Sequence, residues 1–190
     1  MKKLLTAILM MLYVCVDAQQ MSPQALKLKV AYEKLQQQSH APILQVQFIQ
    51  AFPSNKVDFI DVFNAHTQDQ LAAKSVDYVR KFRKLGYDFM DSVLPKSIAI
   101  AKDLPTWSEG AVDELQKTIY YLTNKNPQLF VETVRKLNKE EQESLAVFLY
   151  SGEGGKPNEN YPVLLDIFNI ADKRIHKIFS AQVVLPDRVL

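Results

Sequence analysis

Apolar residues recur every three or four positions along most of the chain, which is the period of an amphipathic helix. In one segment they fall at Val112, Leu115, Ile119 and Leu122. The chain has only five glycines in 190 residues, whereas strand-rich folds need glycine in their tight turns. The pattern therefore predicts an all-α protein, an irregular multi-helix bundle or a short stack of helix pairs with eight or nine helices.

Capping side chains and prolines mark the start of most predicted helices. These signals occur at Ser22–Pro23, Ala41–Pro42, Ser54, Thr67 with Gln70, Ser108 with Glu109, Asn126–Pro127, Asn138 with Glu141, and Asn160 before Pro162. Pro95 is predicted to break the stretch 87–104 into two shorter helices. The apolar face of the first helix is assigned to Leu26, Val30 and Leu35. Residues 160–178 are predicted to form one long final helix.

The first 18 residues have the three-part pattern of a secretory signal peptide. Lys2 and Lys3 precede an apolar run that ends at Val16, and this run is shorter than the roughly 20 apolar residues of a membrane-spanning helix. Cleavage after Ala18 would leave a mature chain without a transmembrane span. We expect a signal peptide (1–18), a single helical domain (19–180) and a C-terminal tail (181–190), in a periplasmic or secreted protein.

A lipoprotein anchored through Cys15 is the less favoured alternative, because the branched Val14 precedes Cys15 where lipid-attachment sequences have a small residue. Cys15 is the only cysteine. Cleavage after Ala18 removes it, so the mature protein would have no disulfide, no cysteine nucleophile and no cysteine-based zinc site.

The charges of the chain are nearly balanced, with 23 basic and 21 acidic residues and a net charge of +2. Nucleic-acid-binding proteins usually carry a strong basic excess, so this class is not expected. Two local clusters of positive charge stand out, at 80–84 and at 173–177. Such clusters contact an acidic partner or an anionic membrane surface, or are simply solvated helix faces.

No motif for catalysis, cofactor binding or metal binding is found. The glycine-rich segment SGEGGKPNEN (151–160) departs from a phosphate-binding loop, because Tyr150 and Pro157 occupy positions that require Gly and Ser or Thr. It is interpreted as a connector that can act as a contact or lid loop. The three histidines, His40, His66 and His176, do not have the spacing of metal ligands.

Aromatic and basic side chains give the candidate interaction surface. Aromatic residues are enriched in binding hot spots, and cations attract acidic partners. The candidates are Trp107, Tyr120, Tyr150, Arg80, Arg83 and Lys84.

A set of aromatic and structural positions carries a resemblance to known proteins. These positions are Phe48, Ala51, Phe52 and Pro53, then Asp58, Phe59 and Phe63, then Trp107, Ala111, Val112, Leu115 and Gln116. Over about residues 45–150 the chain resembles a family of small exported all-helical proteins of Gram-negative bacteria. The resemblance implies a helical fold and export, and it assigns no activity and no site residues.

These features favour an exported, non-enzymatic helical protein that binds another macromolecule, as an inhibitor, an immunity-type protein or an envelope accessory factor. The expected partner is a protein. A hydrolase is the first alternative, with an acid and a base drawn from separate helices, Asp58 or Asp61 with Glu109 or Glu114. A carrier of a lipid or small ligand is the second, and it predicts a closed apolar cavity between helices.

Overall fold

The computed structural model describes residues 21–63, 70–104, 108 and 110–183. Within these residues it contains eleven α-helices and one short 3₁₀ helix. Apart from one isolated bridge between Ser151 and Pro157, the described residues form no β-structure. The all-α class is therefore confirmed, and the predicted number of helices was too low. The predicted signal peptide, residues 64–69, Trp107 and residues 184–190 lie outside the described residues.

The helices follow one another with short connections. They are α1 (Pro23–Gln37), α2 (Pro42–Ala51), α3 (Lys56–Phe63), α4 (Gln70–Ala73), α5 (Ser75–Leu85), α6 (Met90–Ala101), α7 (Ala111–Lys125), α8 (Pro127–Arg135), α9 (Lys139–Tyr150), a 3₁₀ helix (Glu153–Gly155), α10 (Tyr161–Ala171) and α11 (Lys173–Ser180).

Several predicted caps are present. The side chains of Ser22, Asn126 and Asn138 accept backbone N–H groups at the starts of α1, α8 and α9, and Asn138 forms a full capping box with Glu141. At α3 the capping side chain is Asn55 instead of Ser54, because Asn55 Oδ1 accepts the N–H of Asp58. The predicted start at Ser108 was wrong, because α7 begins at Ala111 and its N-cap is Gly110, which has no capping side chain.

Two further helix boundaries differ from the prediction. Pro95 lies inside the continuous α6, where its missing N–H affects only the carbonyl of Asp91 in the exposed first turn, while Val93, Leu94 and Ile98 are fully buried around it. The predicted long final helix is interrupted at Asp172, which has an extended backbone and whose side chain caps α11. The burial of the residues around Pro95 thus compensates for the missing hydrogen bond in α6. The extended backbone of Asp172 ends α10 at Ala171, and its side chain starts α11.

The predicted apolar face of α1 was wrong for two of its three residues. Leu26 is 52% exposed and Val30 is 40% exposed, whereas Leu28 and Leu35 are fully buried. The half-buried Tyr32 shares the inner side of the helix, and its ring stacks on Tyr78 of α5 with centroids 4.1 Å apart. The contact with α5 therefore selects which of two neighbouring apolar rows faces the core.

The centre of the molecule is α6, which packs against α3, α5, α7, α8 and α9. One continuous hydrophobic core runs through the described helices. On the N-terminal side Phe52 and Phe82 stack in parallel with ring centroids 3.8 Å apart. On the C-terminal side Phe168 lies between Phe130 and Phe179. The core thus extends from α1 to α11 without a division.

A lysine of α6 completes the C-terminal end of α2. Lys96 Nζ donates hydrogen bonds to the carbonyl oxygens of Ile49, at 2.8 Å, and Phe52, at 2.9 Å. The last carbonyl groups of a helix have no partner within the helix, so this ammonium group satisfies two of them. Desolvation by burial lowers the pKa of Lys96. The contact ties α2 firmly to the central helix.

Candidate binding groove

Two of the predicted surface arginines are committed to an internal ion pair. Arg80 Nη2 lies 2.9 Å from Oε1 of Glu114, and Arg83 Nη1 lies 3.1 Å from Oε2. Glu114 belongs to α7 and is only 3% exposed. Its Oε2 accepts no well-directed hydrogen bond, so Arg83 interacts with it mainly through charge. The two arginines therefore join α5 to α7 and neutralise a buried carboxylate.

The remaining lysines of this cluster differ in exposure. Lys84 is exposed on α5, as predicted for a surface residue. Lys81 is partly buried, and desolvation, together with the charge of Lys84, lowers its pKa. Of the three basic candidates Arg80, Arg83 and Lys84, only Lys84 has no ion-pair partner among the described residues.

Tyr120 lies in the core, so it does not contribute to a surface. Its hydroxyl donates a 2.6 Å hydrogen bond to the carbonyl of Leu149, and desolvation by burial raises its pKa far above the usual range for a phenol. This hydrogen bond satisfies the carbonyl of Leu149, one of the last carbonyl groups of α9, which have no partner within the helix. Of the two described aromatic candidates, Tyr150 is the more accessible, since it is half-buried.

Tyr150 lines an open groove of about 790 Å³ between α9 and α11. We call this cleft the α9–α11 groove. Its lining comes from one face of each helix: Lys139, Glu143, Val147, Tyr150 and Ser151 on one side, and Arg174, Lys177, Ile178, Ala181 and Gln182 on the other. Most of the lining surface is apolar, and we call this apolar part, which includes Val147, Tyr150 and Ile178, the floor of the groove.

The two helices that border the groove run in the same direction. At their N-terminal ends Arg174 Nη1 reaches Oε1 of Gln142, at 3.4 Å. At their C-terminal ends the ring of Tyr161 contacts that of Tyr150, and its hydroxyl bonds the carbonyl of Phe179. The groove consequently has one end lined by charged residues and another lined by Tyr150 and Ala181 together with the uncharged polar residues Ser151 and Gln182.

Positive charge dominates the charged end. The groove lining contains three cations, Lys139, Arg174 and Lys177, and one carboxylate, Glu143. Glu143 lies 3.5 Å from the ammonium group of Lys139, while Lys177 has no ion-pair partner among the described residues. The N-terminal ends of both helices add partial positive charge. The charged end is therefore suited to a negatively charged group.

The start of α11 is held in place from α8. Arg135 Nε donates to Oδ2 of Asp172 at 2.9 Å, and its Nη2 donates to the carbonyl of Ala171. Oδ1 of the same aspartate caps α11 by accepting the N–H groups of Arg174 and Ile175. These hydrogen bonds, led by that from Arg135, lower the pKa of Asp172. The carboxylate of Asp172, two residues before Arg174, is thus already engaged.

The glycine-rich segment 151–160 is anchored at its base. Gln116 Nε2 donates to the carbonyls of Phe148 and Ser151, each at 2.7 Å, and its Oε1 accepts from Asn158 Nδ2, also at 2.7 Å. The exposed tip contains Gly154 and Gly155, both with positive φ, where other residues would be strained. This connector therefore has a hydrogen-bonded base and an exposed tip, and its role as a contact or lid loop stays a prediction.

A second cleft, of about 520 Å³, lies between this loop and the start of α7. Its charged lining residues are mixed in sign: Asp113, Lys117, Glu153, Lys156 and Glu159. Asp113 and Lys117 pair with each other at 2.6 Å. The lining therefore gives no preference for a cation or an anion.

Two carboxylates of the hydrolase alternative, Asp58 and Glu114, have structural roles, whereas Asp61 is simply exposed on α3. Asp58 Oδ2 accepts a 2.8 Å hydrogen bond from Asn55 at the start of α3. Glu114 is held between two arginines, and Glu109 lies outside the described residues. No cluster of three or more His, Cys, Asp or Glu side chains able to hold a metal occurs in the described ranges.

No helix among the described residues is sufficiently long and apolar to span a membrane.

Comparisons with protein-family models, with curated proteins and with solved structures find no match for this chain. The resemblance to small exported helical proteins therefore stays a prediction.

Proposed function

We propose that this chain is an exported, non-enzymatic helical protein that binds another protein, with the α9–α11 groove as its docking surface. The observation that carries the proposal is an open groove whose apolar floor continues into a basic end. The partner segment that fits it has apolar side chains and negative charge. An inhibitor, an immunity-type protein and an envelope accessory factor would all act through such a surface.

The dimensions of the groove support a peptide segment as its occupant. The lining residues of α9 extend from Lys139 to Ser151, a rise of about 18 Å at 1.5 Å per residue. About six residues of extended chain cover that length. Grooves between helices commonly receive a segment of another protein through a few apolar anchors, and here Val147 and Ile178 would contact them.

The rigid surroundings of the groove also support binding. Tyr161 and Phe179 are buried beneath the groove, and Asp172 fixes the first turn of α11. A preformed surface loses little conformational entropy when a partner docks. Asp58 is used at the start of α3 and Glu114 is used for an ion pair, which leaves the exposed Asp61 without either of them as a second catalytic carboxylate.

Photocrosslinking tests the docking surface directly. The exported protein would carry p-benzoylphenylalanine in place of Ile178, within the groove, and would be irradiated with envelope extract from its source organism. The matched control carries the same group in place of Ile43, which is 64% exposed on α2. We expect one discrete adduct with a different protein from the groove position and none from the control.

Three outcomes would contradict the proposal. They are no protein adduct from the groove position, the same adducts from both positions, or an adduct only between two copies of the chain.

Export itself is tested by mass spectrometry of the native protein. We expect an N-terminus at Gln19, as free glutamine or as pyroglutamate. Retention of Met1 would contradict export by this route, and a lipid on Cys15 would show a membrane-anchored lipoprotein.

A further inference from the structure

We infer that the partner segment is acidic at one end and apolar at the other, and that Arg174 and Lys177 select the acidic end. This inference rests on the proposed function and specifies the chemistry of the partner. The occupant of the α9–α11 groove is a segment of a protein, and an anionic membrane surface is the alternative that the experiments below distinguish from it.

The positive charge of the groove lining is complementary to an acidic segment. The groove lining has three cations against one carboxylate, and that carboxylate, Glu143, already lies within ion-pair distance of Lys139. Asp172, next to Arg174, is hydrogen-bonded to Arg135. An acidic side chain entering this end would therefore meet two cations, Arg174 and Lys177, that no described carboxylate neutralises.

The charged residues of the groove lie at one of its two ends. Arg174 lies beside Gln142, near the N-terminal ends of both helices, whereas Tyr150 lies near the C-terminal ends. Ile178 and Ala181 follow Lys177 along α11 toward the Tyr150 end, which carries no charged residue. A segment with its carboxylates at one end thus fits in one orientation only. The inverted orientation would place apolar residues against cations and leave carboxylates on an apolar floor, which is unfavourable.

The other basic cluster shows why this selectivity belongs to the groove. Arg80 and Arg83 are already paired with the buried Glu114, so they offer little attraction to an incoming carboxylate. Lys84 is exposed on α5 but does not line the groove. A membrane surface would be expected to use a broad basic face, whereas the groove concentrates its cations beside an apolar floor.

Labelled six-residue peptide pools test the inference on the full exported chain. Each peptide has four apolar residues and two variable residues at one end, which are acidic, neutral polar or basic, and each pool includes both chain directions. Fluorescence anisotropy gives the affinity. We expect the acidic pool to bind at least about tenfold more tightly than the neutral pool, with added salt reducing the difference.

Charge reversal locates the selectivity. Arg174→Glu combined with Lys177→Glu should remove the preference for the acidic pool and create one for the basic pool. Lys84→Glu combined with Lys27→Glu is the matched control, since both lysines are exposed on other helices, and it should leave the preference unchanged. Equal binding of all pools, or an acidic preference that survives the reversal in the groove, would overturn the inference.

The two proposals can fail separately. If Ile178 crosslinks to a partner but the peptide pools are not discriminated, the docking surface stands and the acidic chemistry is wrong. If anionic vesicles bind the chain, displace the peptides and depend on Arg174 and Lys177, the groove belongs to a membrane surface and the inference is overturned.

Discussion

The two basic clusters look alike in sequence and differ in what they contact. In the α5 cluster Arg80 and Arg83 both approach one buried carboxylate, Glu114 of the neighbouring α7. In the α11 cluster the guanidinium group of Arg174 donates to the amide oxygen of Gln142, and neither Arg174 nor Lys177 has an ion-pair partner among the described residues. The difference shows that a run of cations indicates binding only after its internal partners are known.

The largest expected effect is on the buried partner of the α5 cluster. Glu114→Ala should reduce the free energy of unfolding by about 2–3 kcal/mol, because it removes two ion-pair contacts and leaves Arg83 partly buried without its counter-ion. Glu143→Ala, which removes a carboxylate of the groove, should change it by less than about 0.5 kcal/mol. Urea unfolding monitored by circular dichroism measures both. Equal effects would show that Glu114 is not a structural ion-pair partner.

A smaller effect on the free energy of unfolding should distinguish Arg83 of the α5 cluster from Lys177 of the α11 cluster. Arg83→Met keeps much of the side-chain stem and removes the charge, so we expect a loss of about 1 kcal/mol because Glu114 loses one of its two counter-ions. Lys177→Met should leave the free energy of unfolding within about 0.5 kcal/mol and weaken partner binding instead. Parallel urea unfolding and crosslinking experiments make the comparison. A stability loss at Lys177 as large as that at Arg83 would remove the distinction between the clusters.

The smallest effect concerns the acid dependence of stability at the start of α11. Because the folded-state pKa of Asp172 is lowered, the unfolded chain takes up this proton first as the pH falls. The stabilisation is therefore complete above the usual aspartate pKa of about 3.9 and is lost as the pH falls below it toward the folded value. Asp172→Asn keeps a capping side chain and removes the charge.

The variant should consequently lose less stability than the wild type between about pH 5 and pH 3. Urea midpoints at several pH values measure the difference. Glu132→Gln on the exposed face of α8 is the control, and it should follow the wild type. Identical pH profiles for Asp172→Asn and the wild type would show that the contact with Arg135 does not stabilise the fold.

Local sequence signals predicted the helical class and several caps, because a cap depends on residues three positions apart. Asn138 with Glu141 is such a case. The choice between neighbouring apolar rows on α1 depended on the contact of Tyr32 with Tyr78, which the periodicity of α1 alone does not reveal. Pro95 was misjudged for a similar reason, since burial on both sides of it holds α6 together.

The candidate site was only partly predictable. Tyr150 and the basic residues at 173–177 were singled out, but their meeting in one groove depends on α10, which brings α11 beside α9. Tyr120 was assigned to a surface although it is buried, because the hydropathy of an aromatic pair does not show which ring faces inward. A signal for Glu114 did exist: it lies beside the apolar stripe of α7, where an acidic residue requires a cationic partner.

The ammonium group of Lys96 gives the fold a built-in chemical reporter. Because it is hydrogen-bonded to two main-chain oxygens at the end of α2, an amine-reactive reagent should label it far more slowly than the exposed lysines. Its labelling rate therefore reports how often α2 separates from α6, and acylation at this nitrogen would trap the separated form.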